Sequence, residues 1–257
     1  MSLLSLLLLS VLLPGGGGGV TAAASPEDIF ILAGQSNMAG RGGVEKGKWN
    51  KFVPRESRPN PTVLRLTAGL EWVLAEEPLH YDIDVANTCG VGPGMAFANE
   101  VMRRSHSIGV IGLVPCAVGG TKISQWAKGT VLYNQMVARA RAAVKGGGTI
   151  RGVLWYQGES DTHDKWNPEA YKGNMEGLIN NLRSDLNNPS LLIIQVALAS
   201  GNGPFVRIVR AAQQGITLPN VKLVDAKGLD LKKDKLHLTT TSEVKLGIMM
   251  ARLGYLN

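Results

Sequence analysis

Cysteine is scarce in this sequence, whose 257 residues include only Cys89 and Cys116. Two cysteines are too few for a disulfide framework, and they lack the paired spacing that a zinc site requires. The sequence therefore excludes a small disulfide-stapled scaffold and argues against a zinc site. It leaves open whether Cys89 and Cys116 form a single bridge.

Clustered positive charge is also missing. The formal net charge is +7, which would suit an acidic partner, but the lysines and arginines are scattered along the chain. Proteins that bind nucleic acids concentrate basic residues in runs or patches, often with interleaved aromatic residues. We therefore expect no nucleic-acid partner. With 44% apolar residues and no internal repeat, the chain suits one globular domain of ordinary size.

Long apolar runs are confined to the N-terminus. Residues 3–13 are almost all Leu, Val and Ser, and Pro14, five glycines and three alanines at residues 22–24 follow. This pattern is typical of a secretory signal peptide and is too short to span a membrane comfortably. We predict a signal peptide over residues 1–24, a single domain over residues 25–257, secretion, and no membrane attachment of the mature protein. Because Lys and Arg are absent from the extreme N-terminus, the alternative is a disordered leader on a cytoplasmic protein.

Buried strands alternate with helices along the rest of the chain. Five apolar runs are predicted as strands, at residues 29–33, 110–114, 152–156, 191–197 and 221–224. Helical patterns lie between and after them, at residues 95–105, 131–145, 168–186, 204–215 and 239–253. The alternation predicts an α/β fold, a three-layer α/β/α sandwich around a five-stranded parallel sheet. Residues 41–90 show no clear period and are predicted as surface loops that form the wall of a cleft.

One polar segment follows the first predicted strand. Gly34 ends the run of large apolar residues, Gln35, Ser36 and Asn37 follow, and the sequence becomes compatible with a helix at Met38. Ser36 is therefore expected at the carboxyl end of a parallel strand, beside a helix N-terminus, where open α/β sheets build their sites. A serine in this position is a candidate nucleophile. The alternative is that Ser36 only caps the following helix, a role that serine often fills.

Glycine-rich or polar segments also follow the next two predicted strands. Gly119 and Gly120 lie in the turn after residues 110–114, and Gln157 follows residues 152–156. Because the carboxyl ends of parallel strands share one edge of a sheet, these residues should meet Ser36 there. The backbone N–H groups of Ser36 and of Gly119 or Gly120, with the side-chain amide of Gln157, could then bind an oxyanion. The alternatives are that the glycines only form a tight turn and that Gln157 only satisfies the hydrogen-bonding groups at a buried strand end.

Only four histidines are available as a general base for a serine nucleophile. His237 stands three residues after Asp234, in the predicted loop between the last strand and the last helix. Residues three apart on one helical turn face the same side, so Asp234 can accept from one imidazole nitrogen and leave the other for Ser36. The alternative is a solvated loop in which the pair only caps the helix. The other three histidines are expected at the surface: His80, His106 and His163.

With these residues in place, the sequence resembles the SGNH hydrolase superfamily. The resemblance is closest to its SASA-type branch of carbohydrate acetylesterases, which is related to plant carbohydrate esterases and to acetylxylan and sialate O-acetylesterases. It covers residues 28–257 and implies the SGNH or flavodoxin-like version of the three-layer sandwich. Four blocks carry the resemblance: residues 34–42 (GQSNMAGRG), 118–121 (VGGT), 155–161 (WYQGESD) and 234–237 (DKLH).

The resemblance implies a serine esterase that needs no metal and no organic cofactor. Ser36 would be the nucleophile, His237 the general base, and Asp234 the acid that orients the base. The oxyanion hole would consist of the donors named above, with Gln157 standing where the wider superfamily carries an asparagine.

Two further residues of the shared blocks are candidates for the site. Glu159 would support the site or share the acid role, and the alternative is a structural salt bridge. Arg41 would contact the substrate, and the alternative is an ordinary loop arginine.

The implied reaction removes O-acetyl groups from sugars or cell-wall polysaccharides through an acyl-enzyme, with an acetylated carbohydrate as substrate. A lipase-like or broad short-chain carboxylesterase is one alternative. It is expected to carry Gly-x-Ser-x-Gly, and Met38 occupies the place of the final glycine. A non-catalytic carbohydrate-binding protein is another alternative, but every reactive residue is present here. The sequence identifies neither the sugar nor the oligomeric state.

Overall fold

The structure is a computed structural model that describes residues 25–105, 107–163 and 166–257. The signal peptide predicted over residues 1–24 lies outside these ranges, as does His106, so both expectations stay predictions. Within the described ranges, no helix combines the length and apolar character needed to cross a bilayer.

The strands of the described residues form one large sheet and one small hairpin. In chain order they are β1 (Asp28–Gly34), β2 (Val44–Glu45), β3 (Lys48–Trp49), β4 (Val63–Leu66), β5 (Trp72–Leu74), β6 (Ile111–Pro115), β7 (Thr149–Tyr156), β8 (Leu192–Ala197) and β9 (Val221–Asp225). The large sheet has the order β5-β4-β6-β1-β7-β8-β9, and β2 pairs with β3 in the hairpin. Every pairing in the large sheet is parallel except that of β5 with β4.

Helices connect the parallel strands and pack in two groups. They are α1 (Ser36–Ala39), α2 (Pro93–Arg104), α3 (Val131–Ala143), α4 (Trp166–Asp185), α5 (Val206–Gln214) and α6 (Thr240–Met249), and a π-helix (Met250–Tyr255) follows α6. The first group consists of α2, α6 and the π-helix, whereas α4 packs with α5 in the second.

The two groups cover opposite faces of the sheet. Phe30 of β1 makes edge-to-face contacts with Phe97 of α2 and Tyr255 of the π-helix, with ring centroids 5.0 and 4.9 Å apart. Trp155 of β7 instead donates a hydrogen bond to Tyr171 of α4 at 3.3 Å. Phe30 is in register with Gly152, and side chains alternate along a strand, so Trp155 points away from the face of Phe30. The fold is the three-layer α/β/α sandwich that the sequence predicts.

The five predicted strands are confirmed as β1, β6, β7, β8 and β9. The sheet is larger than predicted, with seven strands, because β4 and β5 extend it at one edge. Both lie within residues 41–90, which were expected to form loops only. The two strands are short, and the charged Arg65 interrupts the apolar pattern of β4. The structure accommodates this charge in the strand through an ion pair with Asp82 at 2.6 Å.

Candidate active site

Ser36 lies on a sharp turn between β1 and α1. Gly34 ends the buried strand β1 with a φ of 127°. A Cβ at Gly34 would lie 2.1 Å from the carbonyl oxygen of Tyr156 on β7, so the turn requires glycine. Gln35 occupies the cap position of α1, and no side chain caps this helix of four residues. Ser36 is therefore not the helix cap, and it stands at the carboxyl edge of the sheet.

His237 and Asp234 lie in the loop between β9 and α6. An antiparallel bridge between Leu231 and Leu238 closes this loop. Asp234 Oδ1 accepts hydrogen bonds from the N–H groups of Leu236 and His237 at 3.0 and 2.9 Å. Its second oxygen, Oδ2, lies 2.9 Å from Nδ1 of His237. One carboxylate therefore holds both the backbone of the loop and the orientation of the imidazole ring.

The imidazole of His237 joins the two ends of the chain, because its Nε2 lies 3.0 Å from Oγ of Ser36. Burial lowers the pKa of His237 below its usual 6.5, and Asp234 offsets this effect only in part. A neutral imidazole at this position can accept the serine proton. Burial raises the pKa of Asp234, but hydrogen bonds from His237 and Leu236 outweigh it, and the net pKa is lowered. The structure thus brings the three predicted catalytic residues together in the arrangement that acyl transfer requires.

The turn after β6 runs beside the serine. The N–H of Val118 donates to the carbonyl of Gly34 at 3.0 Å, so Gly119 follows directly alongside Ser36. In the described part of the chain, no acceptor pairs with the backbone N–H of Ser36, Gly119 or Gly120. Unpaired N–H groups next to a nucleophile are what an oxyanion hole requires. The structure therefore leaves both glycines available for the predicted role.

Gln157 lies deeper than the other predicted donors. Its side chain is fully buried, and its Nε2 lies 2.7 Å from the carbonyl of Thr121 and 2.6 Å from Oδ2 of Asp161. Both amide hydrogens are engaged in this arrangement, so the side chain ties together the turns after β6 and β7. The geometry favours the alternative that Gln157 only satisfies the hydrogen-bonding groups at the strand end. Its oxyanion role stays an untested prediction.

Asn37, which the sequence analysis did not single out, bridges the two catalytic segments. Its Oδ1 accepts from the N–H of Leu238 at 3.0 Å, next to His237. Its Nδ2 donates to Oε1 of Glu159 at 2.7 Å. Because Asn37 directly follows Ser36, these bonds fix the position of the histidine loop relative to the nucleophile. The available signal was the run of three polar residues, Gln35, Ser36 and Asn37, of which the sequence analysis gave a role to the serine alone.

The sequence analysis also gave no role to Gln35, which lies on the other side of the nucleophile. It is 1% exposed, and its Oε1 accepts from the N–H groups of Gly158 and Ser160 at 3.4 Å each. The side chain therefore holds the turn after β7 against the turn after β1.

Glu159 is fully buried and touches the catalytic residues only through Asn37. Its Oε2 has no hydrogen-bond partner, and no ion pair reaches its carboxylate from the described residues. Burial raises the pKa of Glu159 to about 7, although the hydrogen bond from Asn37 lowers it. The alternative of a structural salt bridge is therefore wrong. The contact through Asn37 is compatible with the predicted supporting role, whereas Asp234 occupies the place beside the histidine.

Arg41 is buried beneath the glycine turn. Its guanidinium forms an ion pair with Asp84, and its Nη1 donates to the carbonyl of Gly40 at 3.0 Å. Its Nη2 lies 2.6 Å from where a Cβ on Gly119 would be. An ordinary solvated loop arginine is thus the wrong description, because the side chain supports the turn beside Ser36. Contact with substrate stays a prediction.

The structure also shows the positions of His80, His163 and the two cysteines. His163 is exposed, as expected. The surface prediction for His80 is wrong, because this residue is 1% exposed and burial lowers its pKa to about 3. Cys89 and Cys116 are both free thiols, so no bridge joins them. No cluster of three His, Cys, Asp or Glu side chains suited to a metal occurs in residues 25–105, 107–163 and 166–257.

The fold and the site together define a class, that of three-layer α/β/α hydrolases with a Ser–His–Asp arrangement at the carboxyl edge of the sheet. Within this class, residues 26–255 match the SASA family, described as "Carbohydrate esterase, sialic acid-specific acetylesterase". The chain belongs to this family of carbohydrate esterases, which are carboxylic ester hydrolases.

Relatives and solved structures agree with this assignment. The chain is 57% identical over 234 residues to "Probable carbohydrate esterase At4g34215" of Arabidopsis thaliana, covering 88% of this chain and 90% of that protein. The X-ray structure of the Arabidopsis AT4G34215 protein has a TM-score of 0.87 at 57% identity and covers 90% of this chain and 98% of that chain.

Two more distant structures share the fold. NanS has a TM-score of 0.70 at 17% identity, covering 90% of this chain and 97% of its own. XAC1771, a carbohydrate acetylesterase from Xanthomonas citri, has a TM-score of 0.61 at 19% identity, covering 90% of this chain and 57% of its own.

Proposed function

We propose that the protein removes O-acetyl groups from carbohydrates through an acetyl-enzyme formed on Ser36. The observation that carries the proposal is the continuous hydrogen-bonded chain from Asp234 to His237 to Ser36, with distances of 2.9 and 3.0 Å. Membership of the carbohydrate esterase family supports the substrate class.

In the first step, Ser36 Oγ attacks the acetyl carbonyl while His237 Nε2 takes the hydroxyl proton. The resulting imidazolium is stabilised by the carboxylate of Asp234, and the carbonyl oxygen becomes an oxyanion. The N–H groups of Ser36 and of Gly119 or Gly120 are the donors best placed to stabilise it. Each such donor lowers the barrier by about 3 kcal/mol.

In the second step, the intermediate collapses and the sugar oxygen leaves with the proton from His237. The acetyl group remains esterified to Ser36. Water then enters, His237 removes its proton, and acetate departs as the proton returns to the serine oxygen. The net reaction consumes one water and releases acetate and a free sugar hydroxyl.

A cavity beside the catalytic acid, lined mainly by polar residues, supports a carbohydrate as the substrate. It has a volume of about 570 Å³ and lies between the β2–β3 hairpin and the histidine loop, where it borders Asp234. Its lining includes the side chains of Lys46, Asn50 and Thr240. Hydrogen-bonding groups in a cavity of this size suit a sugar that neighbours the acetylated unit.

The proposal is tested by measuring acetate release from acetylated xylan, O-acetylated sialic acid and p-nitrophenyl acetate. We expect the Ser36→Ala variant to lose activity on all of them, while Ser107→Ala, an exposed serine outside the site, retains it. Mass spectrometry of the trapped wild-type enzyme should locate one acetyl group on Ser36.

Three results would contradict the proposal. Activity that survives Ser36→Ala would indicate another nucleophile. Activity confined to long acyl chains would indicate a lipase-like enzyme, and sugar binding without hydrolysis would indicate a non-catalytic protein.

A further inference from the structure

One large cavity lies away from the catalytic triad, on the outer surface of α2. Its volume is about 760 Å³, and its walls come from α2, the segment spanning α6 and the π-helix, and residues 55–61 of the loop before β4. Arg103, on its wall, lies ten residues after Pro93 at the start of α2. This separation corresponds to about 15 Å along a helix.

One wall of the cavity carries more positive charge than its carboxylate can neutralise. Glu100 accepts from Arg103 and Arg252, which line the cavity, at 2.8 and 2.6 Å, and from Arg104, which lies outside the lining, at 2.5 Å. Hydrogen bonds from Arg103 and its neighbours lower the pKa of Glu100 to about 2, so the carboxylate stays ionised. One negative charge set against three guanidinium groups leaves this cluster positive, and half or nearly half of each arginine side chain stays exposed.

The opposite wall adds two arginines, Arg55 and Arg58, and one carboxylate, Glu56, so the whole cavity lining carries four arginines and two glutamates. Arg55 and Arg58 are exposed, and in the described part of the chain no ion pair links either of them to a carboxylate. Asn99 of α2 holds this segment, because its Nδ2 donates to the carbonyls of Glu56 and Arg58 at 2.9 and 3.0 Å. The two arginine-bearing walls are therefore held at a fixed separation across the cavity.

We propose that this arginine-lined cavity binds the carboxylate groups of an acidic polysaccharide, such as a polyuronate. Guanidinium groups form paired hydrogen bonds with carboxylates, and their planar fork loses less entropy per hydrogen bond than a lysine ammonium does. The lining contains no aromatic side chain, so it lacks the stacking surface that single-stranded nucleic acids use.

The choice of a carbohydrate rests on the proposed function. A polymer held in the cavity would be retained at the enzyme about 15 Å from the end of α2 that lies near the catalytic edge. The cavity would thus increase the local concentration of ester groups carried by an acidic chain, without contributing to the chemical step.

Binding is measured by affinity electrophoresis and calorimetry with de-esterified polygalacturonate at a fixed ionic strength. The Ser36→Ala full-length protein serves as the parent, so that binding is separated from turnover. We expect Arg55→Gln/Arg58→Gln to weaken binding about tenfold, since two charged contacts are lost. The matched control, Arg207→Gln/Lys222→Gln, removes the same charge from exposed positions outside the cavity and should bind as the parent does.

Several outcomes would overturn the assignment. Equal loss in the control variant would show attraction by net charge alone. Equal affinity for neutral xylan, polyphosphate or DNA would exclude an acidic polysaccharide as the specific ligand. If wild-type esterase activity fails but binding behaves as expected, the proposed function fails and the cavity assignment survives. If activity is present but the double variant binds normally, the cavity assignment fails alone.

Discussion

Replacing Glu159 with glutamine should remove a stability loss that the protein suffers as the pH rises. The carboxyl is buried, and its pKa rises from 4.5 to about 7 in the folded state. Between these values the unfolded chain has released the proton while the folded protein still holds it. The unfolded state therefore binds fewer protons, and the free energy of unfolding falls as pH increases.

The size of the effect follows from the pKa difference. A shift from 4.5 to about 7 corresponds to about 3 kcal/mol that is lost by pH 8. Glutamine has the same shape and its carbonyl oxygen can accept from Asn37, but it does not ionise. We therefore expect Glu159→Gln to match the wild type near pH 4.5 and to exceed its stability by about 3 kcal/mol at pH 8.

Urea denaturation at pH 4.5 and pH 8 measures this difference directly. Glu77 and Asp161 also have pKa values raised by burial, to about 8 and about 6, so both proteins retain some pH dependence. The diagnostic quantity is the loss of unfolding free energy between pH 4.5 and pH 8, compared between the wild type and Glu159→Gln. The exposed Glu71→Gln variant is the control and should follow the wild type. Equal losses in Glu159→Gln and wild type would refute the reasoning.

The same variant separates a supporting role from a catalytic one. If Glu159 acts only through Asn37, the glutamine variant retains kcat/KM, because the acceptor is preserved. A loss of about ten-thousandfold, as expected for a triad acid, would instead assign it a share of that role.

Other consequences of the geometry can be checked together. Because burial lowers the pKa of His237, kcat/KM should rise with pH through a midpoint below 6.5 and then stay level, and Asp234→Asn should lower both the midpoint and the rate. Gly119→Ala should reduce kcat/KM, since the new methyl group would lie 2.6 Å from a buried guanidinium nitrogen. A reducing agent should leave Tm unchanged, and a thiol reagent should modify Cys89 and Cys116 only after unfolding, because both are free and buried.

The main features of the fold could be predicted because its central strands are buried on both faces. Such strands appear in the sequence as continuous apolar runs, and the run at residues 29–33 lies in the middle of the sheet. β4 and β5 could not be found in this way. They are three or four residues long, and the charge of Arg65 inside β4 is paired with Asp82, which lies 17 positions away.

In the candidate site as well, a local contact could be predicted from the sequence, whereas long-range contacts could not. Asp234 and His237 could be paired from the sequence, because a spacing of three residues dictates their contact locally. The partners of Asn37 lie 122 and 201 positions away, so no local pattern indicates them. Gln157 is the converse case, since the end of β7 was located correctly but the direction of its amide depends on the turn after β6.

The strand order explains why Asn37 matters for the chemistry. The histidine loop leaves the edge strand β9 and must return past β8 and β7 to reach β1, a span of about 14 Å for three strand spacings. Three hydrogen bonds hold it there, because Ser200 Oγ and Asn37 Nδ2 donate to the carbonyl of Leu236 at 2.5 and 3.4 Å, and Asn37 Oδ1 accepts from Leu238 at 3.0 Å. These bonds flank His237 in sequence, so they set where its ring stands relative to the nucleophile. The distance between Ser36 and His237 therefore depends on the packing of β1, β7, β8 and β9, and Asn37 holds the histidine loop in place next to the serine.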